Sequence, residues 1–312
     1  MNYGDLDYFV TVVQSGSLTR AAEQLGITQP SISKAIGRVE EDAGACLFTR
    51  SGNKIQLNQY GKIYYKAALK ALGLIEDAID EIKDRNGRTD GFVRIASTVS
   101  GFLDPVMSAF HLEHPEHKLC QYLLPQETLI DTLLSGKIDF AFSTTPIYEK
   151  GIRWIPLQTD ELYMFVSPEH PLYGTQSASL RQFAQDPIVI NNSGMNDNSE
   201  VIRLCHQAGF EPRILYAGGE SEMIAELVNR GSVSFISAST IMRMRNNPYR
   251  PEQEELRDAP DKGYIRITEP ICLREYGMAI LEGHYRSPAV QIFYDKTLDH
   301  FSRSSEPKAR EV

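Results

Sequence analysis

Gly16-Ser17-Leu18-Thr19-Arg20-Ala21-Ala22-Glu23-Gln24-Leu25-Gly26-Ile27-Thr28-Gln29-Pro30-Ser31-Ile32-Ser33-Lys34-Ala35-Ile36-Gly37-Arg38-Val39 decides how the chain is read. Ser17 is placed to cap a short helix, Leu18 to Leu25, whose buried face is Ala21, Ala22 and Leu25. Faces this small let a second helix pack closely. Gly26 follows at a tight turn. Thr28 then caps another helix, with Pro30 in its first turn, where a missing N–H costs nothing. Ile32, Ile36 and Val39 give that helix one inward stripe. Its opposite face carries Pro30, Lys34 and Gly37, flanked by Gln29, Ser31, Ser33 and Arg38. A small, polar, basic face can enter a DNA major groove, with short side chains near base edges and cations near phosphates. The spacing therefore predicts a helix-turn-helix, with Thr28, Gln29, Pro30, Ser31, Ser33, Lys34 and Arg38 as candidate DNA contacts.

Upstream, Leu6, Phe9, Val10 and Val13 fall at i, i+3, i+4 and i+7 and predict a first helix that Gly16 ends. Downstream, Leu47 to Leu57 reads as a short hairpin around Ser51-Gly52-Asn53, with Arg50 and Lys54 near its tip. A basic hairpin after a recognition helix is a wing, suited to phosphate or minor-groove contact.

Asn58 is placed to cap a long helix running to about Asp84. Within it Tyr64, Ala68, Ala71, Ile75, Ala78 and Ile82 alternate at spacings of four and three, a heptad seam that predicts dimerisation through this helix. Asn86-Gly87-Arg88-Thr89-Asp90-Gly91 breaks the helix.

Beyond Gly91, strands alternate with helices. Phe92–Ser97, Lys118–Leu124 and Ile138–Phe142 read as strands, with helices over Leu103–Glu113 and Thr128–Leu134. A second half repeats the order. Its strands are Ile188–Ile190, Arg213–Ala217 and Val233–Ile236, with helices at Glu200–Ala208 and Ser221–Asn229. Residues 133–143 even echo residues 227–237. Two βαβαβ lobes predict two parallel sheets with a cleft between them. Ligands in such sheets bind beyond the carboxyl ends of the strands. Those ends carry Thr98, Ser100, Gln126, Thr128 and Ser143 in one lobe, and Asn191, Asn192, Ser193 and Ser221 in the other. Hydroxyls, amides and helix N-termini there predict an anion site. With no extra Lys or Arg in these loops, the ligand is expected to be a small carboxylate.

The 312 residues suit two domains, and the net charge is −9. Residues 20 to 70 run against that sign, with eight Lys or Arg and four acids. A basic module on an acidic body suits a DNA reader. No apolar run reaches the ~20 residues of a membrane span. The first residues lack a signal-peptide pattern, so a cytoplasmic location is expected. Cys46, Cys120, Cys205 and Cys272 have no CxxC spacing and read as free thiols. His111, His114 and His117 have the look of a metal cluster, but Pro115 interrupts the helix, and they read as a surface loop. No P-loop, GxGxxG, HExxH or GxSxG marks an enzyme. A solute-binding protein on the same two-lobed fold is the other rival; it would have no use for a basic winged module.

The chain resembles the LysR-type transcriptional regulators over residues 3 to 301. The most specific segments are Phe9, residues 16–22, Thr28 to Ser33, Glu40-Glu41 and Leu47 to Arg50. Pro156-Leu157, Glu161-Leu162 and His170-Pro171-Leu172 match further on. The resemblance implies an α/β protein: a winged helix-turn-helix over 1–57, a linker and dimerisation helix with hinge over 58–90, and an effector domain of the periplasmic-binding-protein type over 91–301. Lobe I would be 91–162 plus 267–301, lobe II 163–266, and 302–312 a flexible tail. It implies a regulator of transcription, a homodimer or homotetramer, whose partners are double-stranded DNA and a small-molecule effector. It brings no cofactor, metal or membrane, and leaves contact with RNA polymerase open. It carries DNA contacts onto Gln29, Ser31, Ser33, Lys34 and Arg50, and effector contacts onto Thr98, Ser100, Thr128 and residues 191–193. Gly37 stands where the family usually has a long polar residue, and Asn58 replaces the usual Thr cap. The cysteine spacing does not fit peroxide sensing.

Overall fold

The structure is a computed structural model, and it describes residues 3–51, 54–87, 91–191, 198–218, 221–245 and 260–304. Three helices open the chain: α1 (Tyr3–Ser15), α2 (Leu18–Leu25) and α3 (Gln29–Ala43). Ser17 accepts from the Arg20 amide, and Gly26 closes α2 at φ 66°, a left-handed backbone that favours glycine. Thr28 sits at the N-cap of α3 but makes no side-chain cap bond there. Its hydroxyl instead meets that of Ser31 at 2.8 Å.

Phe9, Val10 and Val12 of α1 are buried against Ala21, Ala22, Ile32, Ile36 and Val39. Val12 takes the fully buried place that the sequence spacing gives to Val13. Leu6 and Val13 are half-buried and pack on the margin of the same core. The antiparallel pair β1 (Phe48–Ser51) and β2 (Lys54–Leu57) forms the hairpin, with Phe48 opposite Leu57.

Helix α4 (Gln59–Arg85) is 27 residues long, or roughly 40 Å at 1.5 Å per residue. Asn58 accepts from the Gly61 amide at 2.9 Å and donates to the Cys46 carbonyl at 2.7 Å. That fixes the first turn on the base of the hairpin. Gly61 is required by this approach, since a Cβ there would collide with the Leu47 carbonyl.

The heptad seam divides in two, which corrects the sequence reading. Ala68 is buried in the chain's own core, and Tyr64 packs edge-on against Phe9 at 5.2 Å. These two positions serve intramolecular packing, because α4 lies between α1 on one side and the next domain on the other. Ala71, Ile75, Ala78 and Ile82 are exposed, along with Ile63, Leu74 and Ile79.

The remaining chain contributes β3 (Phe92–Ser97), α5 (Asp104–Glu113), β4 (Lys118–Leu123), α6 (Gln126–Leu134) and β5 (Phe140–Ser143). Then come β6 (Ile152–Phe165), β7 (Ser177–Ser179), β8 (Pro187–Asn191), α7 (Asn198–Gln207) and β9 (Arg213–Gly218). The last elements are α8 (Ser221–Asn229), β10 (Val233–Ser237), α9 (Ala238–Arg245), β11 (Tyr264–Glu269), β12 (Leu273–Leu281) and α10 (Pro288–Ser304). Of the tail expected over 302–312, the first three residues end α10, and the rest lie outside the described residues.

The strand order is β4-β3-β5-β12-β6-β10-β8-β9, with β11 between β6 and β7. The β3–β4, β3–β5, β8–β9 and β8–β10 pairs are parallel, as the βαβ reading predicts. The lobes are not purely parallel, however. β12 and β6 pair antiparallel with each other over Leu273–Leu281. β6 continues into the second lobe, antiparallel to β10 and β11. Two strands thus run between the lobes. Each lobe keeps its own core, one around Phe110, Phe140, Phe142 and Phe293, the other around Leu162, Met164, Leu180 and Phe183.

Candidate DNA interface and effector cleft

On α3, Ile32, Ala35, Ile36 and Val39 are buried and hold the helix against α1 and α2. Thr28, Gln29, Pro30, Ser31, Lys34 and Gly37 are exposed, and Ser33 is half-buried. They share the face the sequence assigns to the groove. Gly37 leaves open space on it, for a Cβ there would meet nothing within 4 Å. The side chains of Arg50 and Lys54 lie outside the described residues.

Arg38 has a second occupation. Its guanidinium forks onto the carboxylate of Asp5, which is only 1% exposed. This bond holds the Arg38 guanidinium above its usual pKa, and it is a clamp between α1 and α3. Glu40 adds another, accepting from the Leu47 and Phe48 amides at 2.7 and 3.3 Å. The recognition helix is therefore fixed to α1 and to the start of the hairpin by a buried and a half-buried carboxylate. The sequence reading missed both clamps, because each joins residues on different elements.

In the first lobe Thr98 is buried, with its amide bonded to the Phe142 carbonyl at 3.0 Å. Ser143 donates to Gln126 at 2.7 Å and accepts from the Thr145 amide at 3.0 Å. Gln126 and Ser143 are thus occupied with each other at the start of α6. Thr128 is exposed on the same helix. Asn192 and Ser193 lie outside the described residues, as do the side chains of Asn191 and Ser221.

Ser100 lines a cavity of about 430 Å³ together with Gly101, Asp104, Gln121, Leu123 and Arg243. Arg243 comes from α9 in the second lobe and reaches across to Gly101, where a Cβ would collide with its guanidinium. Gly101 is at φ 76°, a left-handed backbone that favours glycine, and the absence of a side chain lets the guanidinium lie directly over it. The loops at the strand ends carry no Arg or Lys of their own, as the sequence reading has it. The cation arrives from a helix more than a hundred residues downstream, and no local pattern announces it.

Behind the cleft, Asp160 is buried and accepts from the Ser239 amide at 3.1 Å and from its hydroxyl. Arg274 of β12 pairs with Glu200 of α7 at 2.9 Å. The crossing strands are thereby tied to the second lobe by charge as well as by backbone.

Residues 3–62 match the family described as bacterial regulatory helix-turn-helix protein, lysR family. Residues 86–302 match the LysR substrate binding domain. The chain belongs to the LysR family. This LysR-type chain is a transcription regulator with a DNA-binding helix-turn-helix and an effector-binding domain. It is 31% identical to the transcriptional dual regulator GltC of Bacillus subtilis, over 97% of this chain and 98% of that one. A full-length point variant of OxyR from Pseudomonas aeruginosa has the same fold, with a TM-score of 0.62 and 21% identity over 95% of this chain and 94% of that one. So has full-length CbnR in complex with its target DNA, at 0.55 and 21% over 98% and 100%. Among the described residues, no helix is long and apolar enough to cross a membrane.

Proposed function

We propose that this regulator answers to a small carboxylate, aromatic or not, that also carries a hydrogen-bond donor, bound between its two lobes. The observation that carries the reading is one cavity lined by Arg243 and Asp104 as well as Ser100 and Gln121. A guanidinium is the side chain best shaped to take a carboxylate through two parallel bonds. Asp104 then faces the donor end. The cavity volume of about 430 Å³ falls in the range of small-molecule sites. Because the wall is shared by both lobes, an acid bound there favours one lobe angle over another. It shifts activity only by its differential affinity for the two states.

The division of labour is 1–57 for DNA, 58–90 for assembly and 91–301 for the effector. Gln29, Ser31, Ser33 and Lys34 read or grip the duplex in a cytoplasmic regulator. CbnR was crystallised on its target DNA; the exposed face of α3 suits the same use here. The exposed apolar stripe of α4 supports a dimer or higher oligomer.

The test is calorimetry of the purified chain against a panel of small organic acids, amines and sugars, repeated with Arg243→Gln. An acid should bind, and the variant should bind it at least tenfold more weakly. Binding of amines or sugars alone, or an acid held equally well by the variant, defeats the reading.

A further inference from the structure

The turn between α5 and β4 gathers three metal-ligating side chains that the DNA and effector sites do not use. Helix α5 ends at Glu113, and the His114 amide still donates back to the Phe110 carbonyl at 2.8 Å. Pro115 cannot continue the helix. The chain instead folds so that the His117 amide donates to the His114 carbonyl at 3.1 Å. One ligand atom each from His114, Glu116 and His117 then lies within 4.8 Å of the others. His114 Nδ1 is 3.5 Å and His117 Nε2 is 3.7 Å from Glu116 Oε1.

These separations have a direct meaning. Two ligands on a tetrahedral zinc ion, each about 2.1 Å from it, are about 3.4 Å apart. The two imidazoles already stand near that spacing from the carboxylate, and small side-chain rotations complete it. The rings are supported as well. Buried Phe110 packs against both, at 5.4 Å from His114 and 6.1 Å from His117, which holds them before any ion arrives. The imidazoles are 29% and 18% exposed and Glu116 is 60% exposed, so the open side leaves a position for water.

We propose that His114, Glu116 and His117 form a binding site for a divalent transition-metal ion, zinc being the best match to two imidazoles and one carboxylate. Magnesium and calcium prefer all-oxygen sets and are excluded by the donors. Pro115, which argues against a metal cluster on a continuous helix, is what brings the three together in a turn. His111, one helical turn earlier, lies outside the cluster.

The position gives the site a consequence. His117 Nδ1 lies 3.0 Å from where a Cβ on Gly91 would stand, and the Lys118 amide donates to the Gly91 carbonyl at 2.9 Å. Gly91 immediately precedes β3, where the chain enters the effector domain. A metal ion on this turn stiffens the point of entry. The turn leads into β4, whose Gln121 and Leu123 line the cavity of Arg243, but none of the three ligands lines it, and the site does not rest on the effector reading.

The experiment uses the full chain with any affinity tag removed, stripped with a chelator, in competition with a chromogenic zinc indicator. Wild type should bind one equivalent more zinc than the His114→Ala/His117→Ala variant. His117→Gln should weaken that equivalent at least tenfold, and His111→Ala should leave it unchanged. Magnesium should not compete. Equal stoichiometry in wild type and double variant overturns the site, as does failure of wild type to take zinc at micromolar concentration. Should the double variant unfold, cobalt bound to wild type decides. A tetrahedral nitrogen and oxygen spectrum supports the site, and thiolate charge-transfer bands assign the ion to the cysteines instead.

Discussion

The Tyr65 hydroxyl of α4 donates to the Asp131 carboxylate of α6 at 2.9 Å, and so joins the linker helix to the first effector lobe. Burial holds the Asp131 carboxyl above its usual pKa, and the bond from Tyr65 works against that rise. The two helices approach closely nearby, where a Cβ on Gly73 would be 3.1 Å from the Leu134 carbonyl. Lys66 to Glu149 at 2.5 Å and His284 to Asp77 at 2.5 Å extend the seam along α4. Tyr65→Phe removes the donor and leaves a half-buried carboxylate short of a partner. A hydrogen bond to a charged group contributes about 1.5–3 kcal/mol, and urea unfolding should show a loss of that size. Asp131 should also titrate at higher pH in the variant. Unchanged stability would mean that water replaces the hydroxyl.

Lys34 and Arg38 lie four residues apart on α3 and should behave differently. Lys34→Ala removes an exposed cation and should change stability by no more than about 0.5 kcal/mol. Its effect belongs in DNA affinity, uniformly across sequences, with the salt slope reduced by about one. Arg38→Ala frees the buried Asp5 carboxylate from its clamp and should lower thermal stability before any DNA is added. Gly37→Ala meets open space and should stabilise the helix by about 0.8–1 kcal/mol, the usual cost of glycine in a helix interior. Thermal melts of the three variants, followed by operator titrations over a salt series, separate these roles. An Arg38→Ala protein as stable as wild type contradicts the clamp.

What the sequence made readable was local. Caps at Ser17 and Asn58, the stripe Ile32-Ile36-Val39 and the parallel strands around Phe92–Ser97 all follow from residues within a turn or two of each other. The crossings near 162 and 267 came only with the family resemblance, and the antiparallel pairing of β6 with β12 was not readable, since it joins Ile152 to Leu281. Arg243 was missed for the same reason: its meaning depends on Gly101, far away in sequence. The heptad seam failed at Tyr64 and Ala68 because periodicity identifies an apolar stripe without identifying what covers it. On α4 the chain itself covers the first part.

That division can be tested on the helix. Ala68 is 2% exposed, whereas Ile75 and Ile82 are 41% and 58% exposed. Ala68→Glu would place a carboxylate in the chain's own core, where desolvation is costly, and should unfold or severely destabilise it. Ile75→Glu sets a charge on the outer stripe, with little effect on the fold of one chain. It should convert the assembly to monomers in sedimentation at micromolar concentration. Operator affinity should fall with it, because a dimer gains from holding two half-sites together. A wild-type monomer at that concentration, or an Ile75→Glu protein that keeps its mass, sinks the assignment of the outer stripe.

Asp139, just ahead of β5, supplies a pH test with a definite sign. Burial pushes its carboxyl up to about 6, against an ordinary 3.8, despite the Arg94 amide that donates to it at 2.6 Å. The folded chain therefore holds this proton where the unfolded chain has released it. Stability from this group is full below about pH 4 and is lost as pH rises through about 6. A rise of about two pKa units corresponds to about 3 kcal/mol, an upper figure for the ionised group at neutral pH. Asp139→Asn keeps an acceptor for the Arg94 amide and removes the charge. At pH 7.5 the variant should be more stable than wild type, and the advantage should shrink steadily toward pH 4.5. Chemical unfolding of both proteins across that range measures the difference directly, and other carboxylates cancel between them. A variant with no advantage at pH 7.5, or one whose advantage grows as the solution is acidified, shows that Asp139 is ionised in the fold without cost.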